Sequence, residues 1–477
     1  MRAKAIGLLV GLAALGFAIF ASPPAGLSRE GFVVAGLVVL MAAWWITEAL
    51  PLTATALMPF LVLPFAGVMD ANETASAYYS PILFLLLGGA FIALAIERVG
   101  LHRRLSLGIL RLAGAHAGPG RLLLAFMISA AILSMLISNT STALIMMPVA
   151  LAVLSAGPQA AREGRDGAEP DTEGLSGALP MGIAFACSIG GLGTLVGSPT
   201  NAIAVGLLDQ TIGVRISFAA WTMYGLPVVI IGIPLAAAII ARVQRVRDRP
   251  FDSDAAREAI PVEHDWSAPE KRLVPLVAIT FLLWMSQPLL GPLLPEGSLT
   301  DGTIAIGASL LLFLIPDGTG RTLLNWSEAD RAPWGVIMMF GGGLALAAGM
   351  TASGLATWLG DALLPLSAVP LLLVAFAVVA MVILITEFAS NVATASAIVP
   401  VVASLIVTLG APPELLALPV ALAASWGFML PAGTGPNAIA WSTGRIRIGR
   451  MVTAGVMLDL IGVVLIVGAV WTVAAVV

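Results

Sequence analysis

The sequence predicts an all-α polytopic membrane protein, with about eleven transmembrane helices and two re-entrant helical hairpins in inverted-topology repeats. Three observations lead there. The 477 residues are 59% hydrophobic and 10% charged, with a mean hydropathy of +1.01, whereas about a quarter of a soluble domain is charged. Many apolar stretches reach the ~20 residues that cross ~30 Å of hydrocarbon, and a β-barrel would show short alternating segments instead. Finally, two polar decapeptides interrupt long apolar runs in the same way, one from Ser134 to Ala143 and one from Thr386 to Ala395.

Candidate spans follow in order at 5–21, 31–49, 52–68 and 81–96. A hairpin candidate occupies 122–154. Spans at 180–208, 221–241, 273–290, 303–315 and 333–349 come next, then a second hairpin candidate at 371–405. Spans at 416–439 and 451–477 finish the chain. The first run resembles a signal peptide, but the spans after it favour a retained helix. One cysteine, Cys187, allows no intrachain disulfide and no thiolate metal cluster.

Basic residues in short loops set the orientation. Arg2 and Lys4, the loop from Arg98 to Arg121, the loop from Arg242 to Arg272, and Arg445, Arg447 and Arg450 are expected in the cytoplasm. Loops near Asp70 and Glu73, Glu296 and Asp301, and Glu414 carry acid without base and are expected outside. The N-terminus then lies in the cytoplasm of a bacterial-type inner membrane and the C-terminus outside. Two spans, 180–208 and 221–241, already separate two inside loops. The run 122–154 must therefore enter and leave on one side, as a hairpin. By the same count the run 371–405 leaves and returns on the outer side, so one hairpin opens inward and the other outward. The chain thus divides into four parts, 1–120 and 251–368 without a hairpin, and 121–250 and 369–477 each with a hairpin and a broken run.

The two hairpins align residue by residue. With Ser138 on Ser390, Asn139, Thr142, Ala143 and Pro148 fall on Asn391, Thr394, Ala395 and Pro400, and Ser134 on Thr386. Gly88-Gly89 with Gly100-Leu101 repeats as Gly342-Gly343 with Gly354-Leu355. Gly197-Ser198-Pro199-Thr200-Asn201-Ala202-Ile203-Ala204 repeats as Gly433-Thr434-Gly435-Pro436-Asn437-Ala438-Ile439-Ala440. Gly, Pro and Asn inside an apolar run break a helix, and a break at membrane depth is tolerated where it is buried or lines a cavity. Half-helix N-termini suit an anion, and C-terminal carbonyls with Ser, Thr and Asn oxygens suit a hard cation. Neither tip and neither loop contains Lys, Arg or His. Co-bound cations would supply the countercharge for an anion; a lattice of backbone dipoles alone would also serve.

These motifs, with Trp44-Trp45-Ile46-Thr47-Glu48-Ala49-Leu50-Pro51, resemble the divalent anion/Na+ symporter family over nearly the whole chain. That family includes carriers of succinate, malate, citrate and sulfate. The resemblance implies one Na+ site at Ser134, Ser138, Asn139 and Gly197, and another at Thr386, Ala389 (by its carbonyl), Asn391 and Gly433. It implies a substrate held by Asn139, Thr140, Asn391, Val392, Thr434, Gly435 and Pro436, with Asn201 and Asn437 supporting the unwound loops. It implies two or more Na+, no organic cofactor, and an elevator mechanism in a homodimer, with 1–120 and 251–368 as scaffold parts and 121–250 and 369–477 as transport parts. The partners are then a small dianion, membrane lipid and a second copy, with no nucleic acid. The second tip of the family usually ends in Thr, where this chain has Val392, and the loops depart from the common Thr-Pro-Pro-Asn. A C4 dicarboxylate is the first expectation; a Na+-coupled sulfate carrier or a Na+-independent dicarboxylate exchanger stays open.

Other residues have plainer readings. Glu387 reads either as a cation or proton ligand or as a paired structural carboxylate. Glu48, Glu97 and Asp459 read as end-of-helix or structural acids. His102, His116 and His264 read as solvated loop residues, Cys187 as core, and Trp44 and Trp45 as interface anchors. The run from Arg242 to Arg249 reads as a topology signal. No His-Glu-x-x-His or Gly-x-Ser-x-Gly supports an intramembrane enzyme. Broken helices in inverted pairs argue against a channel filter ring.

Overall fold

The computed structural model of the chain describes residues 2–112, 118–155, 172–248, 265–431 and 433–476. His116, His264, Arg249 and Arg257 lie outside them. Helices α1 (Arg2–Phe20) and α2 (Arg29–Thr47) pack along one another. Ser28 caps α2 by accepting from the Gly31 N–H at 2.9 Å. The expected span 52–68 is two short helices, α3 (Leu52–Thr55) and α4 (Met58–Phe65). Pro59 lacks the N–H that would have continued the ladder to the Thr55 carbonyl. Helix α5 (Ala71–Ala77) opens with a reciprocal Asp70–Glu73 capping box.

The same order of elements then runs twice. The first pass has α6 (Ile82–Val99), Gly100 in the left-handed region (φ 84°), and α7 (Leu101–Leu112). A hairpin of α8 (Pro119–Ser134) and α9 (Asn139–Ser155) follows. Next come a broken helix of α10 (Gly174–Gly191) and α11 (Pro199–Ile212), and the long α12 (Phe218–Val243). Helices α13 (Ala268–Leu290), α14 (Asp301–Leu314) and α15 (Trp326–Ala329) intervene. The second pass has α16 (Trp334–Ala352), left-handed Gly354 (φ 76°) and α17 (Leu355–Leu363). Its hairpin is α18 (Leu371–Phe388) and α19 (Asn391–Leu409), its broken helix α20 (Glu414–Ala423) and α21 (Gly435–Ser442), and its long helix α22 (Ile448–Val476).

Ten helices among the described residues are long and apolar enough to cross a membrane. The set differs from the expected spans. Hairpin arms α18 and α19 join it, while the divided 52–68 and 416–439 segments and the 14-residue α14 fall short. The segment after Arg98 is also more than a loop. It carries α7, where His102 is half-buried with its Nδ1 3.2 Å from the Ile96 carbonyl, so this histidine is not simply solvated.

Buried apolar side chains form one large cluster through the hairpins, the broken helices, α6, α12 and α14, and a smaller one around α2, α4, α16 and α17. Trp44 and Trp45 belong to the smaller cluster, 5% and 1% exposed, with indole N–H groups on the Leu8 and Leu52 carbonyls. They are packing residues and not interface anchors. Cys187 is fully buried, as expected of a core residue. Helix α10 runs so close to α8 that a Cβ on Gly190 would stand 2.4 Å from the Ala131 carbonyl oxygen. Small residues permit such backbone approach between apolar helices. Helix α6 packs on α14, α11 on α19, and α12 on α22.

Candidate functional site

Each hairpin turns through a short tip. Helix α8 ends at Ser134 and α9 begins at Asn139; α18 ends at Phe388 and α19 begins at Asn391. The tip hydroxyls just outside the second arms act as caps. Ser138 Oγ accepts from the Ser141 N–H at 3.2 Å, and Ser390 Oγ from the Ala393 N–H at 3.2 Å. Ala389 is extended (φ −125°, ψ 160°) and buried.

Behind the first tip, oxygens converge. The buried Ser134 hydroxyl lies 2.7 Å from the Cys187 carbonyl and 2.6 Å from the Asn139 amide. With its nitrogen inward, Asn139 donates to Ser134 Oγ (2.6 Å), Cys187 O (3.1 Å) and Gly197 O (3.2 Å). With its oxygen inward, four oxygens face one another, which is the donor chemistry a hard cation takes. Gly197 is confined: a Cβ there would stand 2.6 Å from Gly191 O and 2.9 Å from Ser134 O. Of the four residues expected here, the structure gathers Ser134, Asn139 and Gly197. The Ser138 hydroxyl instead joins Ser141 Oγ at 3.0 Å.

The second tip repeats the pattern. Thr386 Oγ1 lies 3.0 Å from Asn391 Oδ1 and 2.8 Å from the Ala424 carbonyl. A hydroxyl has one proton, so the other oxygen is left to a second positive group. Gly433 borders this cluster, a Cβ there reaching within 3.9 Å of Thr386 O. The carbonyl contributors Cys187 and Ala424 went unnoticed in the sequence, because every residue carries a carbonyl and only the fold brings these two to the tips.

Both unwound segments are tied to their tips, by different means. Thr194 Oγ1 donates to Met135 O at 2.6 Å and accepts from the Gly197 N–H at 3.0 Å. In the second copy the Glu387 carboxylate accepts the N–H groups of Phe428, Met429 (3.0 Å) and Leu430 (3.2 Å). These N–H groups have lost helical partners at the break. Glu387 is therefore a structural anchor of the segment, and Asp459 on α22 faces it. Asn201 donates to Gly191 O (2.7 Å) and Thr194 O (2.8 Å), and Asn437 to Leu430 O (3.2 Å). Both asparagines thus brace their segments.

In front of the tips lies a cavity of about 430 Å³, within the range of small-ligand sites. Four helices begin at its wall, and their first turns line it. Asn139, Thr140 and Ser141 come from α9, Pro199 and Thr200 from α11, Asn391 and Val392 from α19, and Gly435 and Pro436 from α21. Ser198, Ser390 and Thr434, each just before a helix, complete that side. All seven residues expected to hold substrate line this cavity. Thr140 meets the other repeat directly: a Cβ on Gly435 would stand 2.5 Å from its Oγ1.

The opposite wall comes from α6 and the entry to α16. Gly89, Ala90, Ala93, Leu94, Glu97, Arg331 and Val336 lie there. Glu97 had read as an end-of-helix acid, yet it lines the cavity. The tips and loops hold no cation, but the cavity as a whole does, since Arg331 is exposed beside it.

Residues 2–477 match a family model described as the sodium:sulfate symporter transmembrane region. A sodium-dependent dicarboxylate transporter of Staphylococcus saprophyticus is 38% identical over 472 residues, 97% of this chain and 90% of the relative. One of Staphylococcus aureus (strain USA300) is 37% identical over 474 residues, 97% of this chain and 89% of the relative. Among solved structures, the Alcanivorax borkumensis YdaH transporter aligns with a TM-score of 0.55 at 15% identity, over 94% of this chain and 98% of its own. Neisseria gonorrhoeae MtrF gives 0.54 at 13%, over 96% of each chain. These two speak for the fold alone. Broken helices in two matching passes, a first tip that meets the unwound loop of the other repeat, and a match over nearly the full length agree: this multi-pass membrane protein belongs to the sodium:sulfate symporter family.

Proposed function

We propose that this chain is a secondary active transporter that moves a small dianion, a C4 dicarboxylate such as succinate or malate, coupled to Na+. One observation carries the reading. Four helix N-termini point at one cavity, while the carbonyl ends behind it form two oxygen clusters. N–H ends with their partial positive charge favour an anion. Oxygen clusters without fixed charge favour a hard cation. Placed side by side, the two charges neutralise each other, so neither is bound well alone and both move together. The dicarboxylate relatives support the substrate class.

In this reading Ser134, Asn139 and Gly197, with the Cys187 carbonyl, hold one Na+. Thr386, Asn391, Ala389 and Gly433, with the Ala424 carbonyl, hold another. Thr140, Asn139, Asn391, Val392, Thr434, Gly435 and Pro436 surround the dianion. Segments 121–250 and 369–477 form the moving part of an elevator, and 1–120 and 251–368 the static part of a homodimer. The N-terminus lies in the cytoplasm and the C-terminus outside. Val392 favours a second reading, since the second tip offers no hydroxyl where Thr140 offers one in the first. Sulfate carriage would fit that loss.

Uptake of labelled succinate and labelled sulfate into proteoliposomes tests this, under an inward Na+ gradient, with K+ in its place, and with internal dicarboxylate. Na+-driven succinate uptake is the expected outcome. Sulfate uptake alone would make Val392 a specificity switch. Uptake that needs internal dicarboxylate and ignores Na+ would replace symport with exchange.

A further inference from the structure

We propose that Arg331 and Glu97 form a charged wall that faces the dianion from one side of the membrane only, Arg331 attracting it and Glu97 opposing it. The proposal rests on the transport reading above and adds a residue-level asymmetry to it. Both residues line the cavity that the tips and loops also line. Arg331 is exposed, and among the described residues no carboxylate lies within ion-pair distance of it. Of the nearby acids, Asp317 and Glu328 pair with Arg98 at 2.5 and 3.3 Å, Glu328 also with Arg321 at 2.7 Å, and the exposed Asp330 lies within ion-pair distance of no described base, Arg331 included. The Arg331 Nε reaches only the Glu328 carbonyl, at 3.5 Å. A guanidinium left with free donors beside an anion cavity matches a carboxylate in a bidentate fork. Glu97 sits near the end of α6 on the same wall and has no ion-pair partner among the described residues.

The repeat supplies the asymmetry. Setting Gly88-Gly89 on Gly342-Gly343 brings Ala77 to the position of Arg331 and Thr351 to that of Glu97. The wall related to this one by the repeat, with Ala77 for Arg331 and Thr351 for Glu97, is therefore uncharged at both places. When the tips face that wall in the opposite state, the dianion meets neither charge. Affinity and release then differ between the two faces, although the tips and loops are nearly the same in both states.

The test is uptake of labelled dicarboxylate into intact cells and into inverted membrane vesicles, which offer the two faces separately. Arg331→Gln should raise KM by about threefold to fivefold on one face, the size of a partly exposed ion pair, and leave the other within experimental error. Glu97→Gln should lower KM on that same face. Arg331→Lys should recover most of the affinity. Cys187 is fully buried, so Arg331→Cys can be labelled selectively. A cationic methanethiosulfonate should restore KM and an anionic one should raise it further. Equal shifts on both faces, no shift in either variant, or shifts of the same sign for Arg331→Gln and Glu97→Gln would overturn the proposal. Wild-type protein that takes up no dianion in either preparation would instead overturn the transport reading itself.

Discussion

Ser134 and Thr386 occupy matching places, each with a hydroxyl within 3.0 Å of an asparagine amide and of a backbone carbonyl of the neighbouring broken helix. Removing one such oxygen from a cation's shell costs about 1 kcal/mol, or roughly fivefold in affinity. Ser134→Ala and Thr386→Val should each raise the half-saturating Na+ concentration by that order. The dicarboxylate KM at saturating Na+ should stay nearly constant. Unchanged Na+ dependence in both variants would remove these clusters from ion coupling. At the substrate side, Val392→Thr adds the missing hydroxyl to a residue that already lines the cavity. It should tighten dicarboxylate binding by up to about fivefold, one net hydrogen bond, read as a lower KM for succinate. Such residues were legible in the sequence because a polar group in an apolar run stands out, and its repetition removes chance. Cys187 and Ala424 were not legible, since their contribution is a backbone carbonyl that only the packing of each hairpin on its broken helix brings to the cluster.

At the scale of elements, the sequence foretold breaks where Gly, Pro and Asn fell together, at 197–201 and 433–437; the structure sets them on the N-terminal side, at 192–198 and 424–434, with Pro199 and Pro436 in the first turns that follow. It did not foretell the division of 52–68, where a single Pro59 and tight packing of α16 on α4 suffice. It also assigned the stretch after Arg98 to topology alone, so the role of that residue as a clamp between elements was hidden. Arg98, near the end of α6, donates to the Leu323 and Thr322 carbonyls and pairs with Asp317 and Glu328. It thereby joins α6 to the segment that leads into α16. Burial alone would raise the Asp317 carboxyl. The Thr319 hydroxyl, the Arg98 guanidinium and the Thr319 N–H outweigh it and hold the group well below the usual carboxylate range. A carboxyl depressed in the folded state stabilises the fold above its unfolded pKa of about 3.9, and that gain is lost as pH falls towards the folded value. Thermal unfolding in detergent should therefore show Asp317→Asn below wild type at neutral pH. The gap should close as the pH drops below about 4. A gap that stays constant to low pH would mean that the ion pair contributes nothing to stability.

For the molecule as a whole, the cavity is shared between two sets of elements that the repeat keeps apart. One wall is α6 with the entry to α16; the other is the two tips and the two unwound segments. A ligand enclosed between them can cross only if one wall slides past the other, or if a gate opens within one wall. The tips favour sliding, because each is tied to its own broken helix: Thr194 joins loop to tip in one repeat, and Glu387 does so in the other. The first tip also touches the second loop through Thr140 and Gly435. Opening a gate inside that wall would break these ties, whereas moving it as one body keeps them. Val336 and Ser141 lie on opposite walls of the cavity and take no part in either oxygen cluster. Val336→Cys and Ser141→Cys should each transport as single variants. The double variant, joined by a flexible bifunctional thiol reagent, should lose uptake and regain it on reduction. The fully buried native Cys187 should leave the reaction confined to the introduced pair. Uptake that persists in fully cross-linked protein would mean that the two walls stay together through the cycle, and that passage opens within the tips.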